Sequence, residues 1–300
     1  MFKICIIGSS DIIEKHLLAA KANAFKLYSI TSLKKKSKNC IKIKKKFSIQ
    51  KHYTNWKKCI DESSKQKNIC FLVAPRIQDN IKVLNYISKF NKPILVEKPI
   101  SITSKNFRYI KSKNNIFVGY NRIFYKNIKY LKRYLKSNSL ISVTCAEKNK
   151  KTFMTNSCHI ISILLFLYGK LNLIKLIKNK NSIIGIFRCK NNSILNLNII
   201  FNVNCKFSIQ IKSQSQNIEL SPIEKLTEYG DIKIVRTKIG KLYSLKIKQI
   251  IDETNKLYKP GFFEQYKIFK KFCKNPKLKF VNTIDFSEKI IRLSERLISK

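Results

Sequence analysis

Over the first 120 residues, short apolar runs alternate with stretches of helical periodicity. Phe2 to Ile7, Phe25 to Thr31, Ile69 to Ala74, Ile94 to Val96 and Ile116 to Tyr120 are nearly continuous apolar runs. That is the pattern of strands covered on both faces. Between them, Ile12 to Ala22 and Asp79 to Lys89 repeat apolar residues at helical spacing, and Asn106 to Lys111 reads as a shorter helix. Strand and helix in alternation predict a doubly wound parallel sheet of the Rossmann kind over residues 1–120.

After Gly119 the texture changes. A helix is expected from Tyr120 to about Leu135, a strand over Ile141 to Glu147, and an apolar helix from Ser157 that Gly169 stops. Beyond it lie four strand-like runs: Leu173–Ile177, Ser182–Arg188, Ser193–Asn202 and Phe207–Lys212. Shorter ones surround Ile218 and Ile232–Val235. Few of these are separated by a helix long enough for a parallel crossover, so an open, mainly antiparallel sheet is expected. Gly261 to Cys273 and Ser287 to Ser299 read as closing helices. The class is α/β, with residues 1–120 as a dinucleotide-binding domain and 121–300 as a substrate-binding and oligomerisation α/β domain. The uncovered face of the second sheet is the expected contact in a homodimer or homotetramer.

Composition narrows the classes of partner. The formal net charge is +45 and 62 residues are Lys or Arg, but only eight are Arg. Lys, Ile and Asn are abundant while Gly and Pro number seven and six, the usage an AT-rich genome imposes. A specific nucleic-acid surface recruits Arg for its bidentate geometry. No nucleic-acid partner is therefore expected. The longest mostly apolar run, Ile160 to Tyr168, is too short to span a bilayer. Lys3 to Gly8 reads as a buried first strand rather than a signal peptide. Nine Cys show no CxxC and no metal-ligand spacing, so no metal is expected. These features predict a reduced, soluble protein of the cytoplasm.

Three stretches carry candidate chemistry. The first is strand, Gly8-Ser9-Ser10-Asp11 turn and helix from Ile12, the arrangement that seats a pyrophosphate on a helix N-terminus. Only Gly8 keeps its place in G-x-G-x-x-G; Ser10 and Ile13 occupy the other two. The second strand ends in Thr31-Ser32-Leu33-Lys34-Lys35-Lys36, without the acid that takes ribose hydroxyls in NAD sites. A hydroxyl followed by lysines suits a 2′-phosphate, so the expected cofactor is NAD or NADP, with the balance toward NADP. The second stretch is the apolar Ile94 to Val96 run, which ends abruptly in Glu97-Lys98-Pro99. Open α/β sheets bind their ligands at such strand ends, and Pro99 biases Lys98 toward an extended backbone. The third is Val118-Gly119-Tyr120-Asn121-Arg122-Ile123-Phe124, joined at a distance by His159, one of only three His in the chain.

Taken together, these stretches resemble the Gfo/Idh/MocA family of sugar oxidoreductases along nearly the whole chain. Pro260-Gly261-Phe262-Phe263-Glu264-Gln265 and Ser193–Phe207 look like its branches in surface-polysaccharide and nucleotide-sugar biosynthesis. The resemblance implies hydride transfer between a nicotinamide and a sugar or nucleotide-sugar carbinol carbon. It gives Lys98 a hydrogen bond to the reacting hydroxyl and His159 the hydroxyl proton, chemistry suited to an ammonium in a cleft and to an imidazole. It places Gly8, Ser9, Ser10, Asp11, Ile12, Ser32, Lys34, Ala74, Pro75, Glu97 and Lys98 around the cofactor. Lys98, Tyr120, Asn121, Arg122, Asn156 and His159 fall on the substrate side, and His16 lies near the phosphate-binding helix. The family's acids four residues before and three after the His are here Thr155 and Ser162. Branches with Asn-Ser before the His, as in Asn156-Ser157, work without the first. The alternative reading is a catalytically degenerate paralogue, acting as a nucleotide-binding scaffold or regulatory subunit.

Overall fold

A computed structural model describes residues 1–34, 37–254 and 257–299. They form two compact bodies, Met1–Asn121 with Asn255–Glu295, and Arg122–Thr254 with Arg296–Lys300. The first runs β1 (Lys3–Ile7), α1 (Ile12–Ala22), β2 (Lys26–Thr31), α2 (Lys38–Phe47), β3 (Lys51–Tyr53), α3 (Trp56–Ser64), β4 (Ile69–Val73), α4 (Asn80–Ile87), β5 (Ile94–Val96) and β6 (Ile116–Val118). These strands make one parallel sheet in the order β3-β2-β1-β4-β5-β6. The order reverses direction between β1 and β4, where doubly wound sheets open a ligand crevice. Every residue of β4, β5 and β6 is buried, which accounts for their unbroken apolar sequence. The stretch expected to be helical at Asn106 to Lys111 is a 3-10 turn over Ser104–Tyr109.

The second body holds α5 (Lys126–Tyr134), β7 (Leu140–Glu147), α6 (Lys150–Thr152), α7 (Cys158–Tyr168), β8 (Leu171–Lys178), β9 (Ser182–Cys189), β10 (Ile194–Phe201), β11 (Ser208–Ser213), β12 (Gln216–Leu220), β13 (Lys225–Thr237) and β14 (Gly240–Asp252). Its eight strands run β14-β13-β12-β11-β7-β10-β9-β8. Only β7 and β10 pair in parallel, with Val143 opposite Leu197; the other pairs are antiparallel. Burial alternates residue by residue along β7, β9 and β10, so one face is core and the other is open. That open face is mixed rather than uniformly apolar: Ile184, Ile186 and Ile200 share it with Ser142, Thr144, Asn196 and Asn198.

The last two strands exceed the short run read at Ile232–Val235. β13 and β14 are 13 residues each and pair as far as Thr237 with Gly240. Gly230-Asp231 falls in a register irregularity between Tyr229 and Ile232, and that break hid the strand's continuity from periodicity.

The closing helices are α8 (Phe262–Lys274) and α9 (Ile284–Ile298). The sequence reading put them in the second domain, but α8 and most of α9 fall within the first body. The cause is the aromatic stripe on α8. Phe262, Tyr266, Phe269 and Phe272 recur every three or four residues and are all buried. Tyr266 meets Phe25 edge-on at 5.6 Å, and Phe269 lies 5.8 Å from Phe117.

Candidate nucleotide and catalytic residues

At the carboxyl ends of β1, β2 and β4 lies a cleft of about 590 Å3. Gly8, Ser9 and Ser10 form one wall, Ser32, Leu33 and Lys34 a second, and Ala74, Pro75 and Arg76 a third. The one surviving fingerprint glycine is sterically required. Gly8 has φ +137°, and a Cβ there would stand 2.3 Å from the Ala74 carbonyl oxygen. The strands meet this closely because Gly8 N–H donates to Thr31 O at 2.9 Å and Ala74 N–H to Ile7 O at 2.8 Å. Ser10 closes the turn by accepting the Ile13 N–H at 2.9 Å. Ile13 fills the place of the third glycine and is fully buried. Asp11 is exposed and Ile12 begins α1; neither lines the cleft.

Sequence reasoning missed several lining residues. Ser37 caps α2 by accepting the Cys40 N–H at 3.3 Å, and its hydroxyl lies 3.1 Å from that of Ser9. Asn39 donates to Ser9 O at 2.7 Å. The N-termini of α1 and α2 are thus joined at one edge of the cleft. Trp56, the chain's single Trp, lines it too, its ring edge-on to Tyr86 at 5.2 Å. Lys34, Arg76 and Lys82 bring positive charge, against Asp79 among the acids lining the cleft. Ser32 is buried in the cleft wall and donates to Lys34 O at 2.8 Å. Lys35 and Lys36 lie outside the described residues. The signals were local: Ser37 and Asn55 are N-cap residues just before the helices that carry Asn39 and Trp56.

Glu97 and Lys98 leave the end of β5, on the same edge of the sheet but outside this cleft's walls. Glu97 Oε1 is 2.7 Å from His16 Nε2, and Glu97 Oε2 accepts the Lys98 N–H at 3.2 Å. Burial alone would raise the Glu97 pKa. The hydrogen bond and charge of His16, with Lys98 and Lys259 nearby, outweigh it and hold the carboxyl below its ordinary value. Tyr120 and Asn121, expected on the substrate side, are both buried within this body. The Tyr120 hydroxyl is 3.0 Å from Ser287 Oγ, and Asn121 Nδ2 donates to Pro260 O at 2.8 Å. Each ties the exit of β6 to a closing segment.

In the second body, His159 is the second residue of α7 and is buried. The chain reaches it through a π-type turn at Phe153–Ser157, where the sequence reading began a plain helix at Ser157. Such turns insert a residue into the helical path and re-aim the side chains beyond it, and they recur at functional sites. Thr155 donates to Lys151 O, and Ser162 to His159 O at 2.6 Å, so each hydroxyl bonds helix backbone at a place where the resemblance implies an acid. A carboxylate arrives instead from β7. Glu147, buried at that strand's end, accepts from Ser157 Oγ at 2.5 Å and from Asn156 Nδ2 at 3.2 Å. Twelve residues from His159, it gave no local signal. Arg122 is 3.9 Å from Glu224, and its Nη1 is buried with no hydrogen-bond partner among the described residues.

No family model matches the sequence, and no curated protein matches it. Solved structures do match. A dehydrogenase from Clostridium difficile is 17% identical, covers 99% of this chain and 98% of its own, and superposes with a TM-score of 0.74. An oxidoreductase from Thermotoga maritima is 12% identical over 99% and 96%, with a TM-score of 0.77. A levoglucosan dehydrogenase solved with NADH and levoglucosan is 11% identical over 99% and 96%, with a TM-score of 0.74. At such identities the likeness is one of fold, and it extends over the full length of both partners. The chain has the fold of the Gfo/Idh/MocA-type dehydrogenases.

Proposed function

We propose that this protein is an NAD(P)-dependent oxidoreductase that moves hydride between a nicotinamide and a carbinol carbon of a sugar or nucleotide sugar. The observation that carries the reading is the Gly8 turn: a backbone that excludes any side chain, at the mouth of a cleft at the reversal point of a six-stranded parallel sheet. Bound there, the cofactor would supply hydride. The α1 N-terminus and Ser9 would receive its pyrophosphate, and Trp56 would offer an aromatic face to its adenine. NADP is the preferred form in this reading, because β2 ends in Thr31-Ser32 without a carboxylate and Lys34, Arg76 and Lys82 line the cleft.

Lys98 would stabilise charge on the hydroxyl oxygen, and His159 would take its proton. In the second body, Glu147 would replace the missing acid before the His by fixing Asn156 and Ser157, while Arg122 keeps a donor for substrate oxygens. The Pro260–Gln265 and Ser193–Phe207 resemblance favours a surface-polysaccharide precursor as substrate. A second copy would cover the open face of the eight-stranded sheet at Ile184, Ile186 and Ile200.

The test is a titration with NADPH and NADH, monitoring energy transfer from Trp56 to the bound dihydronicotinamide. Saturable binding, tighter for NADPH and lost in Gly8→Val, is the expected result. A panel of sugars and nucleotide sugars with Lys98→Ala and His159→Ala then identifies the substrate. Absence of binding would overturn the enzyme reading, while tight NADPH binding without turnover would favour the scaffold.

A further inference from the structure

The trio of His16, Glu97 and Tyr266, in which the imidazole and the phenol are fully buried and the carboxylate is half-buried, takes no direct part in the chemistry just described. His16 is fully buried on α1, one turn beyond the Gly8–Ser10 loop. Its Nε2 lies 2.7 Å from Glu97 Oε1, and its Nδ1 lies 3.1 Å from the hydroxyl of Tyr266, itself fully buried on α8. The second carboxylate oxygen accepts the backbone N–H of Lys98. Gly119 closes the remaining side, since a Cβ there would stand 3.2 Å from Glu97 Oε1. One side chain thus joins the cofactor helix, the strand end that bears Lys98 and the closing helix.

Stability alone is a poor reason for such a pair. Desolvating a carboxylate and an imidazole costs free energy that apolar residues of the same volume would not. What a bonded carboxylate provides is direction. Ionised Glu97 only accepts hydrogen bonds, so each oxygen needs a donor, and the donors here are the imidazole and the Lys98 N–H. The Tyr266 hydroxyl serves the far side of the ring as donor or acceptor, whichever the ring requires. Burial also pushes that phenol well above its ordinary value, so it keeps its proton.

We propose that His16 and Tyr266 are positioning residues that act through Glu97 to set the Lys98 amine relative to a nucleotide bound at the start of α1. The inference rests on the reading of Lys98 given above, but its test does not require the substrate.

Reductive methylation of Lys98, with peptide mass spectrometry across pH and scaling to the exposed Lys238, reports the amine's environment directly. Three variants are compared with wild type: His16→Leu, which removes the donor, His16→Gln, which keeps one, and Tyr266→Phe. In His16→Leu, Lys98 reactivity should change at least about threefold, equivalent to roughly half a pKa unit. Lys238 and nucleotide affinity should hold steady, and His16→Gln should return Lys98 most of the way. Once a substrate is in hand, kcat should fall about 10- to 100-fold in His16→Leu with little change in nucleotide KM. Unchanged Lys98 reactivity in folded His16→Leu, or an equal change in His16→Gln, overturns the proposal. If His16→Leu does not fold, unchanged Lys98 reactivity in Tyr266→Phe overturns it. A wild type that turns over no sugar would sink the functional reading, while the labelling would still decide the positioning.

Discussion

The six-stranded sheet of the first body and the eight-stranded sheet of the second bury their apolar residues in opposite ways, and their sites differ accordingly. In the first, helices cover both faces, so the strands are apolar throughout and the crossovers fix their order. The ligand-binding edge is then set by topology: the carboxyl ends of β1, β2 and β4 must converge where the order reverses. In the second, one face is core and the other open, and topology does not single out an edge. Its candidate residues are set by particulars, a π-type turn before α7 and a carboxylate delivered from the end of β7. One candidate site is inherited from the fold, and the other is assembled by side chains.

The contrast can be broken at either end. The largest effect is expected from Gly8→Val. A Cβ 2.3 Å from a backbone oxygen cannot be accommodated by rotating a side chain, so nucleotide binding should fall by at least about 100-fold, or roughly 3 kcal/mol, by Trp56 energy transfer. Next, His159→Ala and Lys98→Ala should each lower turnover by about 10²- to 10⁴-fold while nucleotide affinity stays near wild type, as measured by steady-state kinetics beside the titration. A smaller loss is expected from Glu147→Ala. Ser157 and Asn156 would lose their acceptor at a cost of about 1–3 kcal/mol in denaturant melts, and kcat should drop, with no change in the first body's nucleotide affinity. If nucleotide affinity fell as well, the two sites would not be independent in the way the two sheets imply.

The smallest effect is a pH dependence. The folded chain holds Glu97 below its ordinary value near 4.5. As pH falls, the unfolded chain therefore takes up this proton first. The stabilisation is complete above the unfolded value and disappears as pH drops through the lower folded one. Glu97→Gln should flatten the acid limb of a plot of Tm against pH; an unaltered limb would mean that other carboxylates govern it.

How much of this was legible in the sequence depends on the distance over which each feature is specified. Strands β1, β2, β4, β5 and β6, helices α1 and α4, the Gly8 turn and the strand end at Glu97-Lys98 are written in consecutive residues, by apolar runs and turn chemistry, whereas the three-residue β3 was too short to leave such a run. α1 begins and ends where its periodicity does, at Ile12 and Ala22. The parallel and antiparallel character of the two sheets was also legible, because crossover length decides it. Trp56 and Ser37 belong to helices that the sequence reading passed over, although each had an N-cap signal.

What only the tertiary structure decided concerns residues brought together from far apart. Tyr120 and Asn121 sit in a motif that resembles a substrate wall, yet their polar atoms meet Ser287 and Pro260, more than 130 residues away. α8 packs in the first body because its aromatic stripe fits Phe25 and Phe117. The bonds of Glu97 to His16 and of His16 to Tyr266 span 81 and 250 residues. Hydrophobic periodicity tells a segment which of its faces to bury. Which partner meets that face, and which buried polar group finds a donor there, is fixed only when the chain has closed on itself.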